Sequence, residues 1–89
     1  MMQAEQKERV MDLVVALRSG EFTQGFGVLR NTNHDTWCCL GVACEVYRRA
    51  HVEAQWVTSG GVTRFRVHPT SAQDRWFLPP EVVAWYGFD

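Results

Sequence analysis

Residues 53–69 read EAQWVTSGGVTRFRVHP, and how they pair decides the fold. Side chains alternate on either side of Gly60-Gly61, which predicts a β-hairpin closed by a two-residue type I′ loop. That register sets Ser59 against Val62, Thr58 against Thr63, Trp56 against Phe65 and Ala54 against Val67. One face then carries Ala54, Trp56, Phe65 and Val67, an apolar surface centred on two aromatics. The other carries Glu53, Gln55, Val57, Arg64, Arg66 and His68. A loop at Ser59-Gly60 would instead set Val57 against Val62 and Trp56 against Thr63. Period-2 burial favours the first register, because it brings both aromatics into contact on one side.

Helical signals flank the hairpin. Residues 37–50, WCCLGVACEVYRRA, carry two apolar stripes. Leu40, Ala43, Cys44 and Tyr47 form one, and Cys39, Val42 and Val46 the other. Most of the circumference is apolar, as a central helix requires. Gly41 costs roughly 1 kcal/mol of helix propensity, which implies close approach of another element. Asp35 or Thr36 is the expected N-cap, and Arg48, Arg49 and His51 suit the C-terminal end of the helix dipole. Residues 4–18 place Val10, Leu13, Val14 and Leu17 on one helical stripe, with Gly20 as the stop. Between the two helices, Gly25 and Gly27 flank Phe26, a pattern of an irregular loop or a closely approached backbone. Phe26, Val28 and Leu29 suit a short strand, and Asn31–Asp35 a turn. Near the C-terminus, Pro80 opens a short helix that runs to Trp85 or Tyr86 and stops at Gly87. Val82, Val83 and Tyr86 point one way on it. The expected fold is one small α+β domain over 1–89: two main helices, a hairpin with room for a third antiparallel strand, and a short terminal helix.

The 89 residues carry a formal net charge of −1. That argues against general nucleic-acid binding, which needs a positive field to displace counterions from phosphates. No stretch approaches the ~20 apolar residues of a membrane span, and the N-terminus MMQAEQKERV lacks a signal-type apolar run. A soluble, cytosolic protein is expected. The odd cysteine count, 3, fits a reducing compartment. Lys7 is the only lysine; an arginine-rich balance suits bidentate anion contacts, although a GC-rich genome produces the same bias.

Little in the chain looks chemical. At 100° per residue Cys38, Cys39 and Cys44 diverge, whereas tetrahedral zinc needs convergent ligands. His34 can join Cys38 from the preceding turn, but a fourth ligand is missing, so no metal site is expected. A vicinal Cys38–Cys39 disulfide would be strained in a helix. Cys38, with His34 four residues upstream, is the one nucleophile candidate. The favoured reading of all three thiols is packing. His34, His51 and His68 are isolated and read as surface or loop residues. Glu45 lies on an otherwise apolar helix. An ion pair with Arg30 or Arg75 would satisfy it, and a catalytic role in a cleft is the rival reading. Gln24, Gly25 and Gly27 with Arg30 offer a backbone nest for an anion, although the P-loop lysine is missing. Arg64, Arg66 and His68 form the best basic cluster. Trp76, Phe77, Trp85, Tyr86 and Phe88 crowd the C-terminus as core or as a contact patch.

Three blocks, ALRSGEFTQGFGVLR (16–30), WCCLGVACEVY (37–47) and WFLPPEVVAWYGF (76–88), resemble a family of small uncharacterised proteins of bacteriophages and prophages, actinobacterial phages among them. The family pattern is A-L-R-S-G-x-Y/F-x-Q-G-x-G-x-L-R, then C-C-L-G-V-x-C-D/E, then L-P-x-x-V-x-x-W-x-G. The blocks cover roughly half the chain, in order, and the hairpin is the variable part. The resemblance implies an accessory protein made inside a bacterial host. It brings no activity, no cofactor and no catalytic residues. Gln24, Gly25, Gly27, Arg30, Cys38, Cys39, Gly41, Cys44 and Glu45 match the pattern and are the positions to inspect. Many relatives continue past the W-x-G block, whereas this sequence stops at Asp89, which raises self-association as a homodimer. The expected function is a non-enzymatic module that binds a host or phage macromolecule. The alternative is a binder of anionic nucleotides using Gln24–Arg30, Glu45, Arg64 and Arg66, and an enzyme relying on Cys38 or Glu45 ranks last.

Overall fold

A computed structural model describes residues 3–88; Met1, Met2 and Asp89, the ends of the terminal segments read above, lie outside them. The elements run α1 (Ala4–Arg18), β1 (Arg30–Asn31), β2 (Thr36–Trp37), α2 (Cys39–Ala50), β3 (Gln55–Ser59), β4 (Val62–Arg66) and α3 (Pro80–Tyr86). The fold is α+β, and the strands form two separate two-stranded antiparallel sheets.

The β3–β4 hairpin has the register with Gly60-Gly61 as its loop. Ser59 pairs with Val62, Thr58 with Thr63 and Trp56 with Phe65. Both glycines have positive φ, 60° and 78°, as a I′ turn demands. Phe65 is fully buried beneath Trp56, their rings 4.8 Å apart. Where a third strand was expected there is a single bridge between Phe65 and Asp74. β1 and β2 instead form their own small ladder, tied to the hairpin by a chain of hydroxyls. The buried Thr63 Oγ1 lies 2.9 Å from that of Thr32 and 2.8 Å from that of Thr58.

α2 is the central helix. Gly41, Val42, Ala43, Cys44, Glu45 and Tyr47 are all buried. The Gly41 backbone lies against the Leu29 carbonyl, and a β-carbon there would collide with it. The cap differs from the expected one. Thr36 and Trp37 are extended, because Trp37 pairs with Arg30 in β2 and its N–H donates to the Thr23 carbonyl at 2.9 Å. The helix therefore starts at Cys39. Cys38 is the N-cap, and its Sγ accepts the Gly41 N–H at 3.4 Å. Asp35 sits in the turn at φ 51°. Phe26, Val28 and Leu29 are not a strand: Leu29 is buried, but Phe26 is 85% exposed.

α1 covers the predicted residues, and Gly20 follows it at φ 78°. Its inner face differs from the predicted stripe. Leu13 is buried, with Val10 and Ala16 packed beside it. Leu17 stays exposed over a shallow hollow with Phe22, Gln24 and Cys39. Two polar residues take up the contact with α3. Gln6 Nε2 donates to the Ala84 carbonyl at 3.1 Å, and Arg9 donates to the Trp85 carbonyl at 2.9 Å. These carbonyls belong to the last turn of α3, where the i+4 partners run out; that of Ala84 also accepts the Gly87 N–H at 3.1 Å. Pro80 opens α3 and Gly87 closes it in the left-handed region. Val82 and Tyr86 are fully buried, and the Tyr86 hydroxyl donates to the Ala43 carbonyl at 2.7 Å. Among the described residues no helix is long and apolar enough to cross a membrane.

Candidate functional site

A hollow of about 620 Å³ forms an open cleft between α2, β2 and β3. Glu21, Phe22, Arg30, Asp35, Trp37, Glu45, Arg48, Arg49, Ala54, Gln55 and Trp56 line it. Three aromatic side chains stand among its largely polar lining. Trp37 meets Phe22 edge-on at 5.0 Å and Trp56 edge-on at 5.5 Å. Local sequence explains the placement: β2 turns Trp37 inward, and the hairpin period turns Trp56 toward it.

Glu45 forms the floor. Its carboxylate accepts two bonds of 2.7 Å from Arg48, one of 3.1 Å from Arg49 Nε and one of 3.0 Å from the Trp56 indole N–H. Burial pushes its pKa up, but the bonds from Arg48 and Trp56, the Arg48 charge and the Arg49 bond outweigh that. The carboxyl is held at about 2, below its ordinary 4.5. Arg49 also pairs with Glu21. Glu45 is thus an ion-paired anchor, and its partners are its own helical neighbours at i+3 and i+4 rather than Arg30 or Arg75.

Arg30 enters the cleft from β1. Its guanidinium carbon lies 4.3 Å from the Trp37 ring centroid and 5.6 Å from that of Trp56, a cation–π seat. Among the described residues it has no ion-pair partner, and its Nε is buried without a hydrogen bond. Arg48 and Arg49, by contrast, are both bound to carboxylates. Among the described residues, the cleft thus presents a guanidinium without an ion pair, set on two tryptophans, and Asp35 on its rim has no ion pair either.

The residues singled out from the sequence do not all meet there. Arg30 and Glu45 share the cleft. Gln24 bridges Trp37 from the neighbouring hollow. The nest does not form as expected: the Gly25 N–H donates to the Trp37 carbonyl at 2.7 Å, and the Leu29 N–H to that of Arg75 at 2.8 Å. Gly25 packs so tightly on Thr36 that a β-carbon would clash with its side chain, while Gly27 lies in open space at φ 88°. Arg64 and Arg66 lie on the hairpin face opposite Trp56 and Phe65. Arg66 is tied to Gln55 Oε1 at 2.7 Å and to the Pro69 carbonyl at 3.2 Å. His68 faces Glu53 at 3.4 Å.

The cysteines occupy three environments. Cys38 is half-buried, Cys39 exposed and Cys44 buried, so Cys39 departs from the packing role expected of it. Burial pushes the Cys44 thiol well up, with smaller contributions from Cys38 and Asp74, which disfavours the reactive thiolate. Among the described residues no three His, Cys, Asp or Glu side chains gather as a metal-ligand set. Sequence reasoning missed Phe22, Trp37 and Trp56 as walls and Arg48 and Arg49 as partners. The arginines were readable from the Glu45 spacing. The aromatics converge only through tertiary packing.

The chain belongs to DUF8296, a domain of unknown function, which it matches over residues 2–89. No curated protein and no solved structure matches it.

Proposed function

We propose that this DUF8296 member is a non-catalytic binding module, encoded by a bacteriophage or prophage and working in the host cytoplasm. It holds an acidic group of a host or phage protein in the cleft over Arg30. One observation carries this reading: of the three arginines in the cleft, Arg30 is the one without an ion pair among the described residues, and it is braced on two tryptophans. A guanidinium so placed has its hydrogen-bonding fork oriented in advance for a carboxylate or phosphate. Catalysis is disfavoured because Glu45, the one carboxylate on the floor, is ionised and fully engaged, which suits neither a general acid nor a base poised near neutrality. A macromolecular partner is favoured over a small ligand by the exposed Phe26, Trp76 and Phe77, which supply apolar contact area outside the cleft.

The test compares the chain with Arg30→Gln, both immobilised and exposed to host and infected-cell lysates under crosslinking. The reading expects a defined protein retained by the first and lost from the second. Equal retention, or none by either, contradicts it. The half-buried Trp56 favours one second reading, an anionic nucleotide stacked on its ring. Millimolar nucleotide would then stabilise the wild type by RT ln(1 + [L]/Kd) and so raise its melting temperature, and not that of Arg30→Gln.

A further inference from the structure

β3 is an unprotected sheet edge that runs into the cleft. In a hairpin closed by a two-residue loop, Ser59 and Val62 form a hydrogen-bonded pair, and bonded and non-bonded pairs alternate from there. Val57–Arg64 and Gln55–Arg66 are then bonded, whereas Thr58–Thr63 and Trp56–Phe65 direct their N–H and C=O groups outward. Phe65 follows this rule on the β4 side. Its N–H donates to the Asp74 carbonyl at 2.7 Å, and its carbonyl accepts the Asp74 N–H at 2.8 Å. The equivalent groups of Trp56 and Thr58, on the β3 side, have no backbone partner among the described residues. β3 reads Gln-Trp-Val-Thr-Ser. It has no lysine, no proline and no charge, the usual devices that keep an edge from pairing.

The cleft reaches this edge. Gln55 and Trp56 leave β3 on opposite faces, yet both line it. The Arg30 guanidinium lies 5.6 Å from the Trp56 ring, and an added strand would sit about 4.8 Å from β3. A side chain on such a strand, turned to the face of Trp56, is directed to the side of the sheet on which Arg30 lies.

We infer that β3 is the docking edge for an extended acidic peptide. The inference rests on the reading of the cleft as an acid-binding site. The segment adds as a third strand along Trp56 and Thr58 and sets an aspartate or glutamate carboxylate on Arg30. An extended ligand is required because the open groups are backbone donors and acceptors two residues apart, the mark of strand addition. An acidic one is required because Arg30 is the cleft cation that lacks a carboxylate among the described residues. A second copy pairing β3 with β3 would fill the same edge. It would leave Arg30 unmet, because β3 contains no acidic residue.

The experiment pans a displayed library of random nine-residue peptides against the whole chain and measures enriched sequences by fluorescence polarisation. Enriched peptides are expected to carry one Asp or Glu at a fixed position among β-branched residues. Arg30→Gln, or Gln in place of the peptide acid, weakens binding about tenfold or more, the usual effect of losing a charged hydrogen bond. Thr58→Pro removes an outward N–H that has no partner in the fold, and proline is tolerated at such edge positions. It is expected to bind at least about tenfold more weakly than Thr58→Val, which likewise loses the hydroxyl bond to Thr63. In the wild type, amide exchange at Trp56 and Thr58 slows on binding, a readout that needs no variant to fold. Unchanged exchange there, with Thr58→Pro equal to Thr58→Val, overturns strand addition while loss on Arg30→Gln keeps the cleft reading. If Arg30→Gln binds like the wild type, the cleft reading itself fails. Enrichment of nothing, enrichment without acids, or a dimer in sedimentation that Thr58→Pro dissolves also overturns the inference.

Discussion

The Gly41 backbone packs directly against the Leu29 carbonyl, with no room for a β-carbon. The same carbonyl accepts the Cys38 N–H at 3.2 Å, so the entry to α2 and the end of the glycine loop are fixed by one peptide group. This contact sets where Arg30, the next residue, enters the cleft.

Gly41→Ala should therefore destabilise the fold despite alanine's better helix propensity. The propensity gain is about 1 kcal/mol. Overpacking against backbone, which cannot rotate away, costs about 3 kcal/mol or more. A net loss of about 2 kcal/mol in urea unfolding is expected, and a neutral or stabilising result would mean that the helix and loop are not in contact.

Buried groups with raised pKa values predict alkaline sensitivity. Burial pushes Tyr86 well above its ordinary 10.0, with the Cys44 and Asp12 charges adding to it. Burial likewise raises Cys44 above 9.0, and Tyr47 is raised by burial and then by Glu81. Each group binds its proton more tightly when folded. Their contribution is complete below about pH 9 and is lost as pH rises through the folded values. Tyr86→Phe should cost about 1 kcal/mol at pH 7 through the missing bond to Ala43. Its stability should also fall less steeply than the wild type above pH 10. An unchanged slope would contradict the buried hydroxyl.

The thiols should separate by accessibility. With a maleimide reagent at neutral pH, Cys39 is expected to react first and Cys38, half-buried and bonded to the Gly41 N–H, more slowly. Cys44 should react only on unfolding. Mass mapping after timed quenching reads this order, and rapid native labelling of Cys44 would contradict the core.

Much of the fold was legible because its signals are local. Gly60-Gly61 with period-2 alternation determined the hairpin register, Pro80 and Gly87 bracketed α3, and a glycine inside an apolar helix announced a close approach, which Leu29 makes. The cap of α2 was not legible. Asp35 and Thr36 are better caps than Cys38 by propensity, but two backbone bonds, from the Trp37 N–H to the Thr23 carbonyl and from the Gly25 N–H to the Trp37 carbonyl, hold residues 36–37 extended. Half of the site was readable in the same sense. Glu45 stood out as a charge on an apolar helix, and Arg30 as the cation beside the glycine loop. The failures were of partnership: Arg64 and Arg66 follow the hairpin's outer face, and the Gly25 amide serves the Trp37 carbonyl. Which aromatics face a given arginine depends on contacts between elements far apart in sequence.

Removing the anchor should expose its role. Glu45→Gln leaves Arg48 and Arg49 without their shared carboxylate. Both arginines are nearly half exposed, so solvent screens part of the loss, and about 2 kcal/mol at pH 7 is expected. Glu45 is depressed in the folded state, so its contribution is present above about pH 4.5 and lost as pH falls toward 2. The gap between variant and wild type should close over that window.

Glu45 also offers the most direct test of a cleft made for binding rather than reaction. A carbon-13 NMR titration of its side-chain carboxyl should show ionisation persisting down to about pH 2. A midpoint at pH 6 or above, in the range of a working general acid, would contradict the account.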